Sequence, residues 1–149
     1  MAALSYSHLT VQLPEGWEGR GFSREEEGTG ERTYSVLHVA NFALPPRVED
    51  YGGGAVEQMR PGHAFLSVLE FGPESAGTPL FAQVGVPALR NDSFDPNLLQ
   101  RGIPGQSGAQ SFFTANGRPY CLYVVLGEHL MRFRIVPVLN GILQTVRFS

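Results

Sequence analysis

The stretch Gln110-Ser111-Phe112-Phe113-Thr114-Ala115-Asn116-Gly117-Arg118-Pro119-Tyr120-Cys121-Leu122-Tyr123-Val124-Val125-Leu126 decides the fold class. Two apolar runs rich in aromatic and β-branched residues meet at Asn116-Gly117. Asn and Gly accept the positive φ angles of a two-residue turn, so the stretch predicts an antiparallel hairpin, residues 110–115 against 119–126. Residues 120–126 are also the longest apolar run in the chain, far short of the ~20 residues that span a bilayer.

Upstream, residues 34–42 place Tyr34, Val36, His38 and Ala40 on one face and Leu37, Val39 and Asn41 on the other. Both faces are largely apolar, which predicts a central strand covered on both sides. Residues 64–71 read as the next strand and residues 80–86 as a further short one. Near the start, Leu9, Val11 and Leu13 alternate with His8, Thr10 and Gln12, the pattern of a half-buried strand. Pro14-Glu15-Gly16 then turns the chain into a strand over residues 17–22. Residues 23–32, with Glu25-Glu26-Glu27, Gly28 and Gly30, read as a solvated hairpin loop.

Helical signals are fewer. Asp95-Pro96-Asn97-Leu98-Leu99-Gln100-Arg101-Gly102 places a capping Asp, a Pro suited to the first helical position and a Gly suited to the exit, and so predicts a helix. Residues 55–59 form a short candidate, ended by Pro61. Leu139, Ile142, Leu143 and Val146 fall at i, i+3, i+4, i+7 and make one apolar helical face, with Pro137 marking the start. Residues 130–136 fit strand and helix equally. Gly and Pro together number 29 of 149 residues, scattered as turns. The expectation is an α+β fold in a single domain, residues 1–149: a twisted, mainly antiparallel sheet of six or seven strands with a few short helices packed on it.

Composition excludes several chemistries. All eleven basic residues are Arg, so there is no P-loop lysine, no Schiff base and no Ser-Lys pair. One Cys permits no intrachain disulfide, thiolate zinc site or iron–sulfur cluster. A net charge of −3 argues against nucleic acid, which needs a concentrated cationic face. The opening residues carry no charged segment followed by an apolar run, so the expectation is a cytoplasmic protein with no membrane association. Arg-only usage beside abundant Ala, Gly, Pro and Val leans towards a bacterial source with GC-rich coding.

The individual candidates each have a plainer explanation. Cys121, inside an apolar strand, reads as a buried, inert thiol. His8, His38, His63 and His129 are never paired at metal-ligand spacing, so no metal and no cofactor is expected. His38 has apolar neighbours on its own face, where a hydrogen-bonded core imidazole outweighs a general base. Glu70 shares a face with Ala64, Leu66 and Val68. Covered there it would be a desolvated acid, but a wetted strand end is the simpler reading. Gly52-Gly53-Gly54 reads as a turn rather than an anion cradle. Arg132 and Arg134 flank Phe133 and would share one face of a strand, either contacting a partner or protecting a sheet edge.

The opening strand followed by Leu13-Pro14-Glu15-Gly16-Trp17 and a second strand resembles the start of PsbP-like proteins. Leu143-Gln144-Thr145-Val146-Arg147-Phe148 resembles the short helix and final strand with which such domains close. The resemblance covers the two ends of the chain. It implies a twisted antiparallel sheet with helices on its faces, and binding or assembly factors without catalytic machinery. The remainder is similar to short actinobacterial proteins, a likeness that carries no function.

Two functions follow from the residues. The first is a non-catalytic binding or assembly module acting through a protein partner, with Leu44, Phe94, Arg132 and Arg134 as contacts on exposed surfaces; a homo-oligomer is a further expectation. The second is a small-molecule pocket, or a small enzyme, built on one sheet face around His38 and Glu70. No catalytic residue is assigned.

Overall fold

The computed structural model describes residues 2–25 and 32–149. Among the described residues, eight strands form two antiparallel sheets: β1 (Ala2–Tyr6), β2 (Leu9–Leu13), β3 (Glu18–Glu25), β4 (Thr33–Ala40), β5 (Ala64–Glu70), β6 (Ser107–Ala115), β7 (Arg118–Leu126) and β8 (Arg147–Phe148). The larger sheet has the order β3-β4-β5-β7-β6 and the smaller β1-β2-β8. Among the described residues one α-helix, α1 (Arg132–Leu143), and several 3-10 turns complete a mixed α+β fold that is mostly sheet.

The decisive hairpin forms as its sequence dictates. Ala115 faces Arg118, and Asn116 and Gly117 turn the chain at φ 50° and 76°. Strand β6 begins at Ser107, three residues earlier than the apolar pattern indicates.

The five-stranded sheet is buried on both sides, by different means. Its first face carries Leu37, Val39, Leu66, Val68, Leu122 and Val124. These pack on Leu9, Val11 and Leu13 of β2 and on Val136, Leu139, Ile142 and Leu143 of α1. Regular elements cover this face because both present an apolar stripe at their own period. Strand β1 crosses β3 closely: a Cβ at Gly21 would overlap the Tyr6 ring. The second face carries Val36, Ala40, Phe65, Leu69, Cys121, Tyr123 and Val125. It is covered by irregular chain, residues 44–59 and 99–103, through Leu44, Ala55, Val56, Tyr51, Leu99 and Ile103.

Several expectations are corrected. Residues 95–102 are not helical. Asp95 exchanges both backbone hydrogen bonds with Gly108 (2.9 and 3.0 Å), and its carboxylate accepts from the Asn97 amide at 2.8 Å. The same Asp-Pro chemistry that caps a helix here closes a single turn, and pairing with β6 takes the backbone groups that a helix would need. Residues 80–86 hold a 3-10 turn at Pro79–Phe81 and one isolated bridge, Val84 to Thr114, rather than a strand. Leu44 and Phe94 are 8% and 4% exposed; both are core residues, because irregular segments also cover sheet faces. Arg132 and Arg134 lie in α1 and not in a strand. The helix starts before Pro137, which sits inside it on the exposed side, and Val146 packs on the core beyond its end. Of the Glu-rich loop, residues 26–31 lie outside the described residues, although Glu25 already pairs with Thr33 across the β3–β4 hairpin.

Two glycines separate close approach from mere permissiveness. A Cβ at Gly108 would overlap the Leu98 carbonyl oxygen, whereas one at Gly141, in α1, would meet nothing within 4 Å. Gly108→Ala is expected to lower stability by about 1–3 kcal/mol. Gly141→Ala should raise it by up to about 1 kcal/mol. Urea midpoints measured on the three proteins check both signs.

Candidate binding cleft

One polar or amphipathic residue per strand forms a row straight across the second face. Arg20 on β3 pairs with His38 on β4, His38 with Ser67 on β5, Ser67 with Tyr123 on β7, and Tyr123 with Gln110 on β6. Alternation along each strand sends all five to the same side. Four of them fasten the irregular cover. Arg20 donates to the carbonyls of Pro45 (2.8 Å), Pro46 (3.3 Å) and Leu44 (3.3 Å). His38 Nε2 and Ser67 Oγ both reach the Asp50 carbonyl, at 3.1 and 2.8 Å. Tyr123 Oη accepts from the Gln100 amide at 2.9 Å. Gln110 instead donates to Cys121 Sγ at 3.5 Å.

Between the two pinned segments lies a cleft of about 490 Å³. One wall comes from residues 49–56 and the other from residues 99–106, with Tyr123 and Val125 of β7 as the floor. Tyr51 meets Tyr123 edge-to-face, with centroids 5.2 Å apart and an interplanar angle of 85°. Val56 and Leu99 add aliphatic surface. Gln106 is buried and donates Nε2 to the Val56 carbonyl at 2.7 Å, which leaves its amide oxygen as an acceptor for the cleft. Arg101 spans the rim. Its guanidinium donates to Glu57 and lies 3.7 Å from Glu49.

The glycine run shapes the first wall. Gly52 and Gly54 adopt φ 91° and 95°, open to glycine at no steric cost. The Gly52 amide donates to the Glu49 carbonyl at 2.8 Å, and the Gly54 amide to Glu57 Oε1 at 2.9 Å. These amides are occupied, and one of them by a carboxylate, so the run is a turn.

Burial raises the pKa of the Asp50 carboxyl; Arg24 works against the shift and Glu49 adds to it. Tyr51 and Tyr123 are likewise raised, chiefly by burial. His38 is pushed down to about 4 by burial, which outweighs its bond to the Asp50 carbonyl, with Arg20 lowering it further. At neutral pH its ring is uncharged and packs edge-on between Phe22 and Phe65, each 4.9 Å away. His38 therefore acts as a fastener of the cover. Cys121, pushed up to about 11 by burial, is a neutral thiol.

His38 and Glu70 do not share a sheet face. Glu70 follows Leu69 and so points to the first face, beside Tyr120, whose hydroxyl is pushed up to about 12 by burial and then by the Glu70 charge. Glu70 accepts from Ser35 Oγ at 3.0 Å and lies 3.7 Å from Arg118. Neither His38 nor Glu70 lines the cleft. Leu44 lies in the core beneath the cover and Phe94 in the core of the other face. Arg132 reaches the Asn91 carbonyl at 3.3 Å, and Arg134 is exposed on α1. The cleft residues Asp50, Tyr51, Leu99 and Gln106 were missed from the sequence. The one local clue was Tyr51 running into three glycines.

Among the described residues, no three His, Cys, Asp or Glu side chains group so as to hold a metal, and no helix is long and apolar enough to cross a membrane. Compared with protein-family models, curated proteins and solved structures, the chain matches none.

The depressed His38 pKa links stability to pH. The unfolded chain takes up this proton near pH 6.5 and the folded chain only near 4. Stability from keeping the ring neutral is therefore full above pH 6.5 and falls between 6.5 and about 4, by up to about 3 kcal/mol. Urea unfolding at pH 7.5 and pH 4 should show this loss in the native chain and a smaller one in His38→Gln.

Proposed function

We propose that the chain is a non-catalytic binding module whose ligand seats in the cleft between residues 49–56 and 99–106. One observation carries this reading: the cleft offers about 490 Å³, in which Tyr51, Tyr123, Val56, Leu99 and Val125 stand beside the polar side chains of Glu49, Asp50, Gln100, Arg101 and Gln106. Small-molecule sites typically occupy roughly 300–1,000 Å³, and this cleft falls in that range. Three groups that could do covalent or proton-transfer work, His38, Cys121 and Glu70, do not line the cleft. The His38 imidazole is engaged by a backbone carbonyl, the Cys121 thiol is buried and Glu70 points through the opposite face. The resemblance of the chain ends to PsbP-like binding and assembly factors points the same way.

A second reading, contact with a protein partner, is favoured by α1 and the turn before it. Leu130, Phe133 and Val138 are 76%, 70% and 41% exposed, and with Arg134 they follow helical spacing along one side. Large apolar residues aligned on an outer face are a recurrent feature of interaction surfaces. If that partner is a second copy, sedimentation velocity at micromolar concentration should show a dimer that Phe133→Glu returns to monomer.

For the cleft, a fragment set titrated into isotope-labelled protein is expected to shift the backbone resonances of Tyr51, Val56, Tyr123 and Val125 together. Leu99→Trp, which fills the space, should abolish those shifts by at least tenfold in apparent affinity, and every bound fragment should be recovered chemically unchanged. Shifts scattered over the surface, or turnover of a fragment, would overturn the reading.

A further inference from the structure

We propose that the cleft, read as the binding site above, takes an organic cation: an ammonium or guanidinium group carried on a short apolar stem. The stem would lie against Tyr51, Tyr123, Val56 and Leu99, and the charged head would face Asp50, Glu49 and the Gln106 amide oxygen.

Three observations converge. First, the polar groups are weighted towards acceptors. Asp50, Glu49 and the free oxygen of Gln106 line the space, and acceptors of this number call for a ligand rich in N–H donors. Second, Asp50 uses its backbone carbonyl to hold the cover, through His38 and Ser67, while its carboxylate forms no ion pair within 4 Å among the described residues. The charged groups acting on that carboxylate are Arg24 and Glu49, the latter repelling it, and Arg101 lines the same cleft. Arg24 is engaged by the Glu70 carbonyl at 2.9 Å and lies over the Phe71 ring at 4.8 Å. Arg101 is held between Glu57 and Glu49. Burial without a partner raises the Asp50 pKa, and a bound cation would relieve that cost. Third, the chain already shows the chemistry at its own rim, where the Arg101 guanidinium sits among carboxylates of the opposite wall. The paired tyrosines add aromatic surface, which attracts cations through the ring quadrupole. An anion would meet two lining carboxylates, Glu49 and Asp50, against one guanidinium that is already engaged.

The head group could belong to a free amine or to an Arg or Lys side chain of a partner protein. The full-length chain is titrated, by calorimetry and by the resonances of Tyr51 and Tyr123, with 2-phenylethylammonium, 2-phenylethanol and phenylacetate. A capped Gly-Gly-Arg-Gly-Gly peptide and its citrulline counterpart form the second arm. The ammonium is expected to bind at least tenfold tighter than the alcohol, with phenylacetate weakest. Asp50→Asn keeps the backbone carbonyl that His38 and Ser67 hold, and it should bring ammonium and alcohol within threefold of each other. Glu49→Gln should lower ammonium affinity by a smaller factor. If the Arg peptide outbinds both the ammonium and the citrulline peptide, the cation comes from a partner protein; the reverse order makes it a free amine. If the alcohol binds as tightly as the ammonium, or phenylacetate binds tightest, the cation inference falls while the cleft reading stands. If no probe moves the cleft resonances, both fall.

Discussion

The Asp50 carbonyl oxygen, accepting from His38 at 3.1 Å and Ser67 at 2.8 Å, is the point on which the second face of the sheet depends. A segment without regular structure brings backbone polar groups over an apolar surface and has no ladder to satisfy them. Leaving one such group unpaired costs about 1–3 kcal/mol. The row Arg20, His38, Ser67 and Tyr123 answers that cost by presenting one donor or acceptor per strand where the cover descends. Around these points Leu44, Ala55 and Val56 can bury themselves as a core.

The two faces of the sheet therefore differ in kind. On the first, β2 and α1 interdigitate with the sheet, and the packing is filled by Leu, Val and Ile. On the second, the cover is pinned by hydrogen bonds at separate points, residues 44–50 and residue 100. The cleft is the space between two pinned segments, floored by Tyr123 and Val125 of β7. Its polarity has the same origin: the turn that starts at Glu49 leaves the Glu49 carboxylate exposed at the rim and holds Asp50 half-buried beside it. The groups most often associated with catalysis are meanwhile taken up by the architecture, His38 as a fastener and Cys121 as core.

Much of the fold was legible in the sequence. The Asn116-Gly117 turn, the two-sided strand around Val36–Val39 and the apolar face Leu139, Ile142 and Leu143 each rest on local rules with a short period, and each stands in the structure. The misreadings share one cause. Asp95-Pro96 satisfies the local chemistry of a helix start and of a turn equally, and pairing with Gly108, more than ten residues away, chose between them. Leu44 and Phe94 lie in aperiodic segments, so nothing local distinguishes a side chain that tucks under from one that stands out. His38 and Glu70 lie on strands whose faces follow from counting, but the register that sends them to opposite sides belongs to the pairing of β4 with β5.

The amino-acid order by itself determined the Asn116-Gly117 hairpin, the central strand covered on both sides and the predominance of antiparallel sheet, because these depend on periodicity and turn residues. Only the tertiary structure decided that Asp50 and Tyr51 stand across a cleft from Leu99 and Gln106. Those residues are about fifty positions apart and carry no shared pattern. Their meeting is set by strand order and by hydrogen bonds from the sheet to the backbone of its cover, which any residue type at those positions could accept.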